Sequence, residues 1–335
     1  MLQNNSNTSK KVPPVLELIK NNIVKYANPL GLTPRENSSW VGDLNLPPKG
    51  ELLFYPGGEY QLLPYLDSLT KTLKYLNPSG RPFSWLMGAR KLVNLTGIKA
   101  EKIYASLLAR DKKRYFSINY KAAFILKKLG YDICYNKKSE LYSGALLYEL
   151  GFWEELKDYA LKLVEIIKES EAKTVVCLSP HSGEMFKQVY PKLLDFKIEV
   201  KTFVELVWDK KELLPIGDGI PIVFHDSCRF ARELGLSKEF RDVLEKVGAQ
   251  PREPIRNGVW TTCCGGPGKM LFPEIAEQVS KNRVKELKDT GAKLILTSCP
   301  YCLASFQNSL KKDSGIQLLD FIEFLYERLV TNNEL

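Results

Sequence analysis

A chain of 335 residues, 44% hydrophobic and 26% charged, has material for two cores of ordinary size and is neither low-complexity nor fibrous. The first thirty residues lack the apolar run of a signal peptide, and no stretch approaches the roughly 20 uninterrupted apolar residues of a membrane span. A cytoplasmic protein with no membrane span is therefore expected, whose thiols stay reduced unless chemistry uses them. The formal net charge is +9, and lysines and arginines gather in residues 109–138, either as a solvated surface or as a docking face for an acidic partner. Nucleic-acid binding is not expected, because no helix-turn-helix, ribonucleoprotein or zinc-finger spacing accompanies the charge.

In chain order, residues 1–50 are expected as an N-terminal extension. An apolar run, Glu51–Tyr55, predicts a buried strand, and residues 59–118 predict a helical insertion. Cys134 and Cys177 sit in the strand-like runs Tyr131–Tyr135 and Thr174–Leu178, where buried structural thiols are expected. The 3.6-residue period of Phe152–Glu169 predicts a helix, followed by a strand over Thr174–Ser179. A charged, Pro- and Gly-containing link at 209–220 marks a boundary. Strands at Ile222–His225 and Lys293–Thr297 then flank a helix at Pro273–Asp289. Strands alternating with helices imply an α/β fold with mainly parallel sheets.

The chain also repeats itself. Ile198–Asp209 aligns with Ile316–Glu327, and Thr174–Ser182 with Leu294–Cys302 once Ser179-Pro180 is laid on Cys299-Pro300. Phe54–Gly58 matches Phe224–Cys228, and Tyr142-Ser143-Gly144 matches Cys263-Cys264-Gly265. The step from Gly144 to Ser179 is 35 residues and that from Gly265 to Cys299 is 34. Four landmarks in one order predict two tandem pseudo-repeated α/β domains, over 51–209 and 221–335. Where the second half has cysteines, the first has Gly58, Tyr142, Ser143, Ser179 and Ser182.

Cys228, Cys263, Cys264, Cys299 and Cys302 occupy three loops, each expected just after a strand, at the carboxyl edge where open α/β sheets place ligands. Thiols at this density point to one metal site, an iron–sulfur cluster or zinc, and exclude magnesium or calcium. Four-coordinate zinc would leave one thiol spare. A thioredoxin-like pair at Cys299 and Cys302 would leave three unexplained. Gly265, Gly266 and Gly268 are expected to let the backbone wrap the site and donate amides to sulfur, and Pro300 to stiffen its loop. His225 stands three residues before Cys228, as a tuning or proton-donating neighbour or as an ordinary strand-end residue; His181 lies between Ser179 and Ser182. The Gly-rich run after Cys264 lacks the features of a phosphate loop or dinucleotide fingerprint.

Cys228, 34 residues, Cys263-Cys264-Gly265, 33 residues, then Cys299-x-x-Cys302 resembles the cysteine-rich CCG domain found in the B and D polypeptides of heterodisulfide reductase and in related iron–sulfur oxidoreductases. The resemblance covers about residues 50–335, since those proteins carry two such domains in tandem. Asn22–Gly31 with Pro34-Arg35 resembles the family's lead-in after a ferredoxin module. It implies that the five cysteines hold a noncubane [4Fe–4S] cluster. With the first motif degenerate, it implies a one-cluster oxidoreductase subunit for electron transfer or thiol–disulfide or sulfur chemistry. Its implied partners are a ferredoxin-like iron–sulfur subunit and a flavoprotein subunit, with a thiol, disulfide or sulfur-carrier substrate. A zinc-stabilised scaffold and a dithiol oxidoreductase are the alternatives.

Overall fold

The computed structural model describes residues 12–31, 34–65, 111–311 and 313–331. Its described strands form two four-stranded sheets in which every pairing is parallel. The first holds β1 (Leu52–Tyr55), β2 (Ile133–Cys134), β3 (Thr174–Cys177) and β4 (Glu199–Thr202) in the order β2-β1-β3-β4. The second holds β5 (Ile220–His225), β6 (Ala249–Pro251), β7 (Leu294–Thr297) and β8 (Gln317–Asp320) in the order β6-β5-β7-β8. The sequence repeat is thus a repeat of topology.

The central strands are short apolar runs because helices cover both of their faces; all of β7 is buried. The crossovers are amphipathic. Helix Trp153–Lys168 turns Leu156, Ala160, Leu163 and Ile167 inward, and helix Pro273–Lys288 does the same with Ala276, Val284 and Leu287. After each last strand the two halves repeat a capping device. Glu205 accepts from the Thr202 backbone N–H at 2.7 Å, and Glu323 accepts from that of Asp320 at 2.9 Å.

The halves share one core. Phe203 and Phe321 meet at 6.4 Å between ring centroids, Tyr60 donates to Asp320 at 2.8 Å, and Arg114 grips both carboxylate oxygens of Glu323 at 2.8 and 2.6 Å. In the segment expected as an extension, Ile23, Trp40 and Leu44 are buried, and Trp40 donates to Glu140. Of the expected helical insertion, residues 66–110 lie outside the described residues; 59–65 are helical, and helix Lys112–Lys128 begins at its far end. Cys134 and Cys177 are buried on β2 and β3 in the first sheet, and burial pushes Cys134 up to about 11 and holds Cys177 well above the ordinary thiol range. No helix of the described residues is long and apolar enough to cross a membrane.

Candidate metal centre

Two of the three cysteine loops leave strand ends where the parallel topology reverses direction, between β5 and β7. β5 ends at His225, and Asp226-Ser227 lead into Cys228, which caps the helical turn Arg229–Glu233. β7 ends at Thr297, and Cys299 caps helix Pro300–Ser309. Pro300 is the first residue of that helix, where its missing N–H costs nothing, and Cys302 follows within the first turn. Cys263 and Cys264 depart from the expectation. They lie well past β6, beyond the turn Gly258–Trp260 and before helix Pro273–Lys288. Side-chain ties, rather than a strand end, bring that loop to the others.

The five thiols form a run of neighbours: Cys228 with Cys263, Cys263 with Cys264, Cys264 with Cys302, and Cys302 with Cys299. Cys264, Cys299 and Cys302 are buried, and Cys228 and Cys263 are partly exposed, so the run opens to solvent at that end. Gly265 N–H donates to Cys263 Sγ at 3.3 Å and Gly266 N–H to Cys264 Sγ at 3.4 Å. The Cys228 thiol and the adjoining amide hold Cys263 well below an ordinary thiol, while contact with Cys263 and burial push Cys228 up. Burial works to raise Cys299, but hydrogen bonds from Cys302 and His181 leave it well below its usual value.

The glycines divide by role. Gly265 has φ +76°, as its repeat counterpart Gly144 has +82°, and a Cβ on it would come within 2.5 Å of the Ala276 carbonyl. Gly266 is needed for closeness alone, since its φ is −54° but a Cβ would stand 2.8 Å from that of Tyr301. Gly268 faces open space, so it carries none of the wrapping expected of it.

Behind the thiols lies a buried polar frame that sequence reasoning missed, apart from His225. Arg283 is fully buried and donates to His225 Nδ1 at 3.1 Å, the Arg256 carbonyl at 2.9 Å and Thr261 Oγ1 at 3.3 Å, and pairs with Glu286 at 2.8 Å. Arg241 holds both oxygens of Asp226 at 2.8 and 2.9 Å, and Asp226 accepts from Gly258 N–H at 2.8 Å. Burial would raise the Asp226 carboxyl, yet these donors keep it below its usual range. Burial, then the Arg283 charge, pushes His225 down to about 3, so it is a neutral acceptor from Arg283. The available signal was a lone arginine on the apolar face of a predicted helix, where only a partnered charge is stable.

The stripped positions of the first half also converge. Ser143 Oγ and Ser182 Oγ donate to Glu59 Oε1 at 3.3 and 3.1 Å, and Ser179 Oγ accepts from Ser182 N–H at 3.1 Å. Glu59, fully buried, follows Gly58, the counterpart of Cys228. His181 Nδ1 lies 3.3 Å from Glu59 Oε2, and its ring stands 4.6 Å from that of Tyr301. Burial would keep His181 neutral, but Glu59 and Cys299 lift it to about 10.

Among the described residues, no group of three or more His, Cys, Asp or Glu side chains is arranged as the ligands of a single metal ion. The donor set nevertheless suits a thiophilic metal group: five thiols in sequence, two amides already aimed at sulfur, and buried polar atoms at His225 Nε2, Ser227 Oγ and Ser298 Oγ without a partner among the described residues.

Residues 222–307 match the model of the CCG family, a cysteine-rich domain. The chain is 24% identical, over 73% of its length, to the EtfAB:quinone oxidoreductase of Syntrophomonas wolfei, spanning 37% of that protein. It is 27% identical, over 65% of its length, to the D polypeptide of the dihydromethanophenazine:CoB–CoM heterodisulfide reductase of Methanosarcina acetivorans, spanning 57% of it. Lactate utilization protein A of an Exiguobacterium strain is 24% identical over 63% of this chain and 91% of its own length. The chain thus spans well under two thirds of the first two relatives. A solved glutamate racemase from Bacillus anthracis resembles 64% of this chain and 77% of its own, at 12% identity and a TM-score of 0.30, too loosely to bear on function.

Proposed function

We propose that this chain, which belongs to the cysteine-rich CCG-domain family, is the iron–sulfur redox subunit of a heterodisulfide-reductase-like complex. Its relatives are oxidoreductases or subunits of them, and one is named as a probable iron–sulfur-binding oxidoreductase, which supports the general role. The observation that carries the specific reading is the unbroken run of five neighbouring sulfurs, with two glycine amides donating to it. On this reading Cys228, Cys263, Cys264, Cys299 and Cys302 hold one noncubane [4Fe–4S] cluster. His225, Gly265, Gly266 and Pro300 fix the loops around it. The first half, with Gly58, Tyr142, Ser143, Ser179 and Ser182 at the matching places, holds none.

Bound there, such a cluster supplies one-electron storage and a metal face for sulfur chemistry. The protein's own contribution is access and insulation. Three thiols are buried, Cys228 and Cys263 are partly exposed, and the sequence on either side of Cys263 carries the exposed apolar side chains Val259, Trp260, Leu271 and Phe272. That side suits the approach of a ferredoxin-like subunit, a flavoprotein subunit, or a thiol, disulfide or sulfur-carrier substrate in the cytoplasm. The basic stretch at 109–138 is a poorer docking face, because Arg114 is tied to Glu323, Lys127 to the Leu44 carbonyl and Lys138 to Glu169. A separate Cys299–Cys302 dithiol fits less well, since Cys302 also contacts Cys264.

Anaerobic purification with iron, sulfide and zinc analysis tests the reading. A brown protein with about four iron and four sulfide per chain is expected. One zinc per chain, reproducibly and without sulfide, would overturn it in favour of the scaffold alternative.

A further inference from the structure

Two arginines in the helical turn that follows Cys228 reach different parts of the molecule. Arg229, the next residue, crosses to the first half, where its guanidinium donates to Glu149 at 2.6 Å and pairs with Glu184. Arg232, three residues on, donates to the Thr261 carbonyl at 2.7 Å and the Val259 carbonyl at 3.3 Å, in the loop that leads into Cys263. The turn is seated on the first half at further points. A Cβ on Gly183 would stand 3.1 Å from Leu234 Cδ1, so the missing side chain lets helix Pro180–Glu184 come close, and Gln188 donates to the Glu233 carbonyl.

The two carboxylates belong to helices that the stripped motif starts. Glu149 ends helix Ala145–Glu149, which follows Gly144, and Glu184 ends the helix that follows Ser179. At the matching places the second half has Met270 and Ala304, and the match of Arg229 itself is Glu59. The anchor therefore runs one way, from the half without the cysteine motif to the half with it. Arg229, Glu149 and Glu184 are 17%, 17% and 8% exposed, so these pairs are only weakly screened by salt.

Resting on the cluster reading above, we propose that Arg229 and Arg232 form a bracket that fixes Cys228 and the Cys263 loop relative to each other, with the stripped half as its anchor. Both arginines are positioning residues; neither is a ligand. Loss of a group that holds a ligand in place characteristically weakens metal retention by roughly 10–100-fold.

The test compares wild type with Arg229→Met, Arg229→Lys and Arg232→Met. Arg114→Met serves as the control, because it breaks the Arg114–Glu323 pair between the halves and leaves the bracket in place. On cluster-loaded protein, iron release to a chelator should be about tenfold faster in Arg229→Met and Arg232→Met, with Arg229→Lys nearer wild type. Arg114→Met should release iron at the wild-type rate. On metal-free protein, amide hydrogen exchange should quicken over residues 228–236 in Arg229→Met, over 258–264 in Arg232→Met, and over neither in Arg114→Met. Iron release no faster in either bracket variant than in Arg114→Met, or unchanged exchange in either segment, overturns the proposal. If Arg229→Met does not fold, Arg229→Lys and Arg232→Met decide, wild-type release and exchange in both counting against it. Wild-type protein that takes up no iron–sulfur cluster refutes the functional reading, and exchange on the metal-free chain then decides the bracket by itself.

Discussion

Arg283 Nε donates to His225 Nδ1 at 3.1 Å, joining helix Pro273–Lys288 to the end of β5 just ahead of Cys228. The same guanidinium reaches the Arg256 carbonyl and Thr261 in the loop before Cys263. Removing it would leave the buried imidazole and the Arg256 carbonyl without this donor, while Thr261 keeps its own bond to the Asp226 carbonyl. Arg283→Met is therefore expected to destabilise the fold by about 2–4 kcal/mol. The midpoint of urea unfolding checks it; a loss below about 0.5 kcal/mol would show that the frame is not needed.

Gly265 and Gly268 lie three residues apart, yet their substitutions should part company. Gly265→Ala forces a left-handed backbone on a Cβ 2.5 Å from the Ala276 carbonyl, and should cost about 1–3 kcal/mol with reduced metal content. Gly268→Ala meets nothing within 4 Å and should stay within about 0.5 kcal/mol of the parent. Thermal unfolding and metal analysis of the pair separate a conformational requirement from mere glycine richness.

Asp320, paired across the sheet with Thr297, gives the fold a pH dependence of its own. Burial pushes it up to about 7, although Ile322 N–H and Tyr60 donate to it. A carboxyl with a raised folded value holds its proton more tightly in the folded state. Its stabilising contribution is thus full below the ordinary value of 3.8 and fades as pH rises to about 7. Asp320→Asn removes that dependence, so its stability relative to the parent should grow between about pH 4 and pH 7. Denaturant titrations at several pH values read it, and two parallel curves would count against a raised Asp320.

The seven cysteines should divide five to two. Serine at Cys228, Cys263, Cys264, Cys299 or Cys302 should abolish or sharply reduce bound metal. Cys134→Ser and Cys177→Ser should leave metal per folded chain unchanged, with Cys177→Ser costing about 1–3 kcal/mol for burying a hydroxyl. Metal loss in either of the last two would relocate the site.

Much of this was legible in one dimension. Apolar runs bounded by turn residues located β1, β3, β5 and β7, because parallel strands covered on both faces must be apolar throughout. The cysteine spacings picked out five thiols, and the repeat identified their missing counterparts. Cys263 and Cys264 misled in one respect, since their loop is held by Asp226, Arg241 and Arg283 and not by a strand end. Nothing in the neighbourhood of those arginines in sequence pointed to their partners, which lie on other elements.

The sequence alone determined the α/β alternation, the duplication and the chemical type of the site, because periodicity, spacing and thiol chemistry are local properties. Only the tertiary structure decided which polar groups stand behind the cysteines, that Glu59 occupies the stripped site, and that His181 stands beside it. Those depend on the packing of one half against the other, and a buried charge declares its purpose only when its partner is in view.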